Sequence, residues 1–187
     1  MKKEIIPSLI LSVICLILFC GIYPAIVWGI AQVSPGKGEG HVMYVAGKKY
    51  YTNVGQKFTT DKYFSSRPSA VDYNAAGSGG SNKGPSNPDY LVQVQGRIDS
   101  FMVHNPGTRL PDIPSELVTA SGSGLDPDIT PAAARVQVSR IAYSRGLTAV
   151  SIEQIINKHI EWPLYGMGPN KINVLLLNLS LDSLQKP

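Results

Sequence analysis

Ser34-Pro35-Gly36-Lys37 has the S-x-x-K arrangement, in which a lysine amine can take the proton of a serine nucleophile for acyl transfer. Ser183-Leu184-Gln185-Lys186 repeats it and the companion K-T-G is absent, so the pattern carries little weight. No G-x-S-x-G nucleophile elbow occurs. His41, His104 and His159 are far apart and have no ligand-spaced companion, and His159 follows Ile155 and Ile156 as a core-edge histidine would. Gly77-Ser78-Gly79-Gly80-Ser81-Asn82 could cradle a phosphate on backbone N–H groups freed by glycine. The Lys-Ser or Lys-Thr pair and the helix of a P-loop are missing, and an ordered turn is the plainer reading. Asp126 and Asp128, with Asp112 and Glu116, could offer carboxylates to a cation, but they lack the spacing of a calcium loop; capping near Thr130 and solvation also account for them. No catalytic residue and no metal site are assigned.

The elements that would position these residues fall into two parts. No charge occurs between Glu4 and Lys37, while the rest of the 187-residue chain carries nearly every ionisable group. With 43% apolar residues the chain is too hydrophobic to be disordered, and its length leaves room for one membrane element and one ordinary domain. Beyond Glu4 the net charge is about +3, with no basic cluster interleaved with aromatics, so nucleic acid is not an expected partner.

Residues 5–31 exceed the roughly 20 needed to cross a hydrocarbon core. Lys2 and Lys3 precede this stretch, and Tyr23 and Trp28 lie in its second half, where an outer aromatic belt would place them. The expected organisation is a cytoplasmic N-terminus at 1–4, a transmembrane helix at 5–31 in contact with membrane lipid, and an extracytoplasmic domain at 32–187. Cleavage after Ala31, releasing a secreted binding module, is the alternative; the apolar stretch is long for a signal peptide. Cys15 and Cys20 are the only cysteines, so the exported domain has no disulfide framework. Gly21, Ala25 and Gly29 recur every four residues, a stripe against which another membrane helix could pack closely.

Val42 to Val45 and Tyr50 to Thr52 suit a hairpin turning at Gly47-Lys48. Residues 53–87 are rich in Gly, Ser, Asn and Pro and should lack long regular structure. Asn87-Pro88 predicts a helix start, with Leu91, Val94, Ile98, Phe101 and Met102 at helical spacing and an end near Asn105-Pro106-Gly107. Thr130-Pro131 predicts a second helix, stopping at Gly146. Ser151-Ile152-Glu153-Gln154 resembles a capping box for a third, terminated by Pro163. Leu175, Leu177, Leu179 and Leu181 alternate, which favours a strand slightly over a helix capped by Asn173. The fold class is therefore α+β: one N-terminal transmembrane helix followed by a small extracytoplasmic domain of about three helices and a minor sheet.

Several segments carry a more specific signal. They are Tyr63-Phe64-Ser65-Ser66-Arg67-Pro68-Ser69-Ala70, the glycine-rich run from Gly77 to Asn82, Ser86-Asn87-Pro88, and Glu116 through Ser121-Gly122-Ser123-Gly124 to Asp126-Pro127. With Ile129-Thr130-Pro131, Gln137, Arg140, Asn173-Val174-Leu175 and Leu177-Asn178-Leu179, and with Gly21, Tyr23 and Pro24, they closely resemble the C subunit of the Kdp potassium-transporting P-type ATPase. The resemblance covers nearly the whole chain in order. It implies an accessory subunit of a bacterial inner-membrane complex that takes up potassium with high affinity at the expense of ATP. In that complex a channel-like A subunit holds the pore and a separate B subunit holds the phosphorylated aspartate. The family's C subunit is described as a catalytic chaperone that raises the ATP affinity of the B subunit. No cofactor is expected to bind stably, ATP being available through the complex. The chain fits this division of labour: it has no D-K-T-G phosphorylation loop and no charge inside its membrane helix. The resemblance makes Gly77, Ser78, Gly79, Gly80, Ser81 and Asn82 a candidate nucleotide or partner loop. Arg67, Pro68, Ser69, Ser121, Gly122, Ser123, Gly124 and Asp126 become candidate partner contacts. The competing class is a membrane-anchored extracytoplasmic serine-lysine acyltransferase using Ser34 and Lys37.

Overall fold

An apolar stretch without charge satisfies its backbone most simply as a helix, and the N-terminal part of the chain does so. In a computed structural model, which describes residues 2–163 and 166–184, helix α1 (Lys2–Ile17) runs through a π-helical turn (Leu18–Ile22) into α2 (Tyr23–Val33). The Tyr23 N–H reaches back five residues to the Leu18 carbonyl. This wider turn stands just before Pro24, which has no N–H and whose ring would crowd the carbonyl four residues earlier in a regular helix. Lys3–Val33, 31 residues, is long and apolar enough to cross a membrane. At about 1.5 Å per residue it measures about 46 Å.

The chain divides into two compact units, Met1–Tyr51 and Thr52–Pro187. The first ends in a hairpin of β1 (Val42–Val45) and β2 (Lys48–Tyr51), antiparallel with Val42 opposite Tyr51 and Val45 opposite Lys48. The turn is Ala46-Gly47, one residue earlier than the expected Gly47-Lys48, and both residues have positive φ, 48° and 78°. A two-residue turn with both dihedrals positive matches the twist of the strands, which sets the register here.

The second unit is built from α3 (Pro88–His104), two short 3₁₀ turns (Leu110–Asp112 and Ser115–Leu117), β3 (Asp128–Ile129), α4 (Pro131–Arg135), α5 (Val138–Arg145), α6 (Ala149–Lys158), β4 (Ile172–Asn173) and α7 (Val174–Leu184). The start of α3 is as expected: the Asn87 side chain accepts the Tyr90 N–H at 3.0 Å and Pro88 occupies the first turn. Thr130 caps α4 through the Ala133 N–H, and Gly146 ends α5 at φ 64°. Between these two points the single helix expected from sequence is broken at Val136-Gln137. The third helix starts earlier than expected, because Thr148, not Ser151, is its cap and accepts the Ser151 N–H.

The strand expected over Val174 to Leu181 is a helix. Asn173 accepts the Leu176 N–H and caps it, after pairing with Asp128 across the short β3–β4 ladder. Its inward face is Val174, Leu177, Asn178 and Leu181, a helical period with a polar residue in it. The core collects Ile129, Ala133, Ala134, Ile141, Ile152, Ile156, Ile172, Leu177 and Leu181 from α4 to α7 and the β3–β4 ladder, together with Phe64, which is fully buried although it lies in no regular element. No residue of α3 is fully buried.

A backbone clasp as the candidate functional site

Phe64 belongs to an irregular segment that crosses the core, and its backbone groups must find partners there. Side chains supply them. The Asn178 carboxamide accepts the Phe64 N–H at 2.8 Å and donates to the Phe64 carbonyl at 3.0 Å, replacing a missing strand neighbour. Gln137 accepts the Ser65 N–H at 2.9 Å and donates to the Ala133 carbonyl at 2.9 Å. Arg140, 7% exposed, donates to the Asp61 and Tyr63 carbonyls, to Asn105 Oδ1 and to Gln137 Oε1. Burial pulls its pKa below the usual arginine value, and the nearby Asp61 carboxylate opposes this. Arg145 donates from Nε to the Lys62 carbonyl, pairs with Asp182 at 2.8 Å and stacks over the Tyr63 ring.

This gripped segment leads into Arg67, Pro68 and Ser69, and here the structure brings together the three groups of residues singled out in the sequence. Arg67 pairs with Asp126 at 2.8 Å, and the Pro68 carbonyl accepts the Ser121 N–H at 3.0 Å. Ser69 Oγ accepts the N–H groups of Val71 and Tyr73, and Tyr73 OH donates to the Arg67 carbonyl at 2.6 Å. From the glycine-rich loop, the Gly79 N–H and the Ser78 hydroxyl both donate to the Ser123 carbonyl, at 2.8 and 2.9 Å. The Gly55 N–H closes the far side on the Leu125 carbonyl at 2.7 Å.

The glycines set how tightly these loops close. A Cβ on Gly80 would stand 2.8 Å from the Gly122 carbonyl oxygen. On Gly124, which has φ 69°, it would stand 2.6 Å from Val71 Cγ2 and 2.7 Å from the Gly79 carbonyl oxygen. Ser81 and Asn82 complete the loop, Asn82 with φ 52°. Among the described residues, Arg67 Nε and Ser121 Oγ are buried without a hydrogen-bond partner. The assembly is a clasp of three loops held chiefly through backbone atoms.

Several of the residues considered for chemistry are already engaged within the fold. The Ser34 hydroxyl donates to the Ile30 carbonyl at 3.1 Å; Lys186, of the second S-x-x-K, lies outside the described residues. His159 donates from Nδ1 to the Ile155 carbonyl and accepts at Nε2 from Ser180, the core-edge arrangement expected of it. Glu116 accepts from the Thr130 N–H and hydroxyl, Asp126 holds Arg67, Asp128 holds Lys171, and Asp112 holds Arg109, which keeps the Asp112 carboxyl below its usual range. No group of three or more His, Cys, Asp or Glu that could hold a metal occurs among the described residues. A cleft of about 620 Å³ lies between α3 and the 58–61 segment, with Arg97, His104 and Arg140 on its walls beside Asp61. In the membrane-length helix, Gly21 sits in the π turn and Ala25 and Gly29 in α2. Leu16, Cys20, Gly21 and Ala25 line a shallow apolar groove of about 450 Å³.

Sequence reasoning did not find Gly55, Tyr73 or the clamping roles of Gln137, Arg140 and Asn178. The signal for the last three was available: polar residues recurring on otherwise apolar helical faces.

The fold and site define a chain with one helix long and apolar enough to cross a membrane, joined to a small α+β domain whose loops are tied together. The family described as K+-transporting ATPase, c chain (KdpC), matches residues 5–183, and the chain belongs to that family. It is 49% identical to the potassium-transporting ATPase KdpC subunit of Flavobacterium johnsoniae over 98% of this chain and 100% of the relative. It is 44% identical to that of Bacteroides fragilis over 98% of each chain, and 46% identical to that of Geobacter sulfurreducens over 97% of this chain and 98% of the relative.

Proposed function

We propose that this chain is the non-catalytic C subunit of an ATP-driven potassium uptake complex. It stabilises the assembly of the potassium-conducting and ATP-hydrolysing subunits and raises the ATP affinity of the latter. The observation that carries this reading is the clasp, in which the family's signature segments meet as one loop surface on a domain whose polar side chains are committed to holding it. Long loops fixed on a rigid scaffold suit a partner surface. The domain, placed outside the cytoplasmic membrane by the basic flank of Lys2 and Lys3, docks through this surface on the outer face of the potassium-conducting subunit. The Gly77 to Asn82 loop acts there as a partner loop, because the Gly79 N–H that a phosphate would need is already given to Ser123. Acting from outside the membrane, the domain reaches ATP affinity as a coupling free energy passed through the assembly. The anchor takes part through Gly21, Ala25 and Gly29, which let a partner helix approach.

The test is co-purification with the other pump subunits, followed by ATPase and transport assays with and without this chain. The expected result is a complex that falls apart, or shows a raised KM for ATP, when the chain is left out. Unchanged assembly and unchanged KM overturn the reading. A cysteine in place of Ser123 should be labelled in intact cells by a reagent that does not cross the membrane; labelling only after lysis would reverse the topology.

A further inference from the structure

We propose that the β1–β2 hairpin is a second membrane anchor that lies among phospholipid headgroups beside the end of the N-terminal helix. A two-stranded hairpin is marginal in water unless its side chains find cover. No residue from Val42 to Tyr51 is fully buried. By the register, Val42, Tyr44, Lys49 and Tyr51 share one face. That face is open, with Tyr44 68% and Tyr51 41% exposed. Lys49 Nζ stands 5.3 Å from the centroid of the Tyr51 ring and 2.9 Å from Glu39. Tyrosine and lysine, each an apolar body with a polar tip, are the side chains that settle at a membrane–water boundary.

The connection holds the hairpin at that depth. After Val33 the chain turns back on itself, with the Lys37 N–H on the Ser34 carbonyl, the Glu39 N–H on the Gly36 carbonyl and the Val42 N–H on the Gly40 carbonyl. Gly38, φ 82°, is pressed against the helix so closely that a Cβ would stand 3.2 Å from the Ala31 methyl. Ala31 is only about 4.5 Å along the axis from Trp28, the interfacial aromatic of the helix. From Gly38 the chain reaches Val42 within at most about 14 Å. The hairpin therefore begins within about 14 Å of the Gly38 contact near the boundary, where Tyr44 and Tyr51 can continue the belt that Tyr23 and Trp28 start. This inference rests on the helix spanning a bilayer but is independent of which side the domain occupies.

The experiment uses the full chain with Cys15→Ser and Cys20→Ser, reconstituted in phosphatidylethanolamine–phosphatidylglycerol vesicles. Single cysteines at Tyr44, Tyr51, Gly77 and Val13 carry a nitroxide, and collision rates with oxygen and with a water-soluble nickel chelate report depth. All four positions are exposed, so each can carry the label at the surface. The Tyr44 and Tyr51 labels are expected to meet the nickel chelate several-fold less than the Gly77 label and to meet oxygen more. Labels at Tyr44 and Tyr51 as water-exposed as that at Gly77, with Val13 deep in the bilayer, would overturn the anchor while leaving the span standing. A water-exposed Val13 would remove the span and the anchor with it. Tyr44 and Tyr51 shielded from both reagents in the reconstituted pump would show that protein, not lipid, covers this face.

Discussion

Replacing Gly124 with alanine tests the clasp at its tightest point. The backbone there has φ 69°, and a side chain in the left-handed region costs about 1–2 kcal/mol. The added methyl would stand 2.6 Å from Val71 Cγ2 and 2.7 Å from the Gly79 carbonyl oxygen, both closer than carbon atoms tolerate, so one loop must move away. The groups at risk are the Gly79 N–H and the Ser78 hydroxyl on the Ser123 carbonyl, worth about 0.5–1.5 kcal/mol each. Together these terms give a loss of about 2–5 kcal/mol, or roughly 6–15 °C in Tm for a domain of this size. Gly77→Ala is the matched control: a Cβ at Gly77 meets nothing within 4 Å and the residue has no positive φ. It should stay within about 0.5 kcal/mol of the parent. Thermal unfolding of the detergent-solubilised full chain, followed by circular dichroism, measures both variants, and amide exchange at Gly79 reports whether the loop has opened. Coincident melting of Gly124→Ala and Gly77→Ala, with the Gly79 amide equally protected, would refute the account of the clasp as a close backbone contact.

Three further outcomes are expected. Asn178→Ala leaves the Phe64 N–H and carbonyl buried without partners and should cost about 2–5 kcal/mol in the same unfolding assay, whereas Ser183→Ala, at an exposed site, should cost little. Burial, reinforced by Asp72, holds the Tyr73 phenol up at about 12 against an ordinary value of 10. The unfolded chain therefore loses this proton first, so stability should fall as pH rises from 10 towards 12, and a Tyr73→Phe variant should show a shallower alkaline slope in urea titrations. Ala25→Leu should weaken co-purification with the pump subunits while leaving membrane insertion intact; undiminished recovery of that variant and of Gly21→Leu and Gly29→Leu would show that the helix only anchors.

The parts of the fold that sequence disclosed are those fixed by chemistry within one turn of chain. Asn87, Thr130 and Gly146 mark helix ends because a side-chain oxygen or a missing Cβ satisfies local backbone groups. The last helix was hidden because Asn178 occupies an inward position, which broke the apolar period and left only the alternation of leucines visible. The break at Val136-Gln137 had no local marker, since Gln137 is turned inward to hold Ser65, a residue far away in sequence. At the candidate site the participating segments were legible as unusual, through their glycines and their resemblance to a family. Their mutual contact was not, because backbone atoms make most of it and every residue type has the same backbone.

The grip on the segment around Phe64 also has a mechanical side. Four side chains hold it: Gln137 at the N-terminal cap of α5, Arg140 and Arg145 on α5, and Asn178 on α7. Within three residues the same segment becomes Arg67, one jaw of the clasp. A rope made fast at several cleats does not slide when one end is pulled, and a load on the loop surface is shared at once by both helices. The domain thus answers a partner's tug as a stiff lever, with little slack between its loops and its helical body.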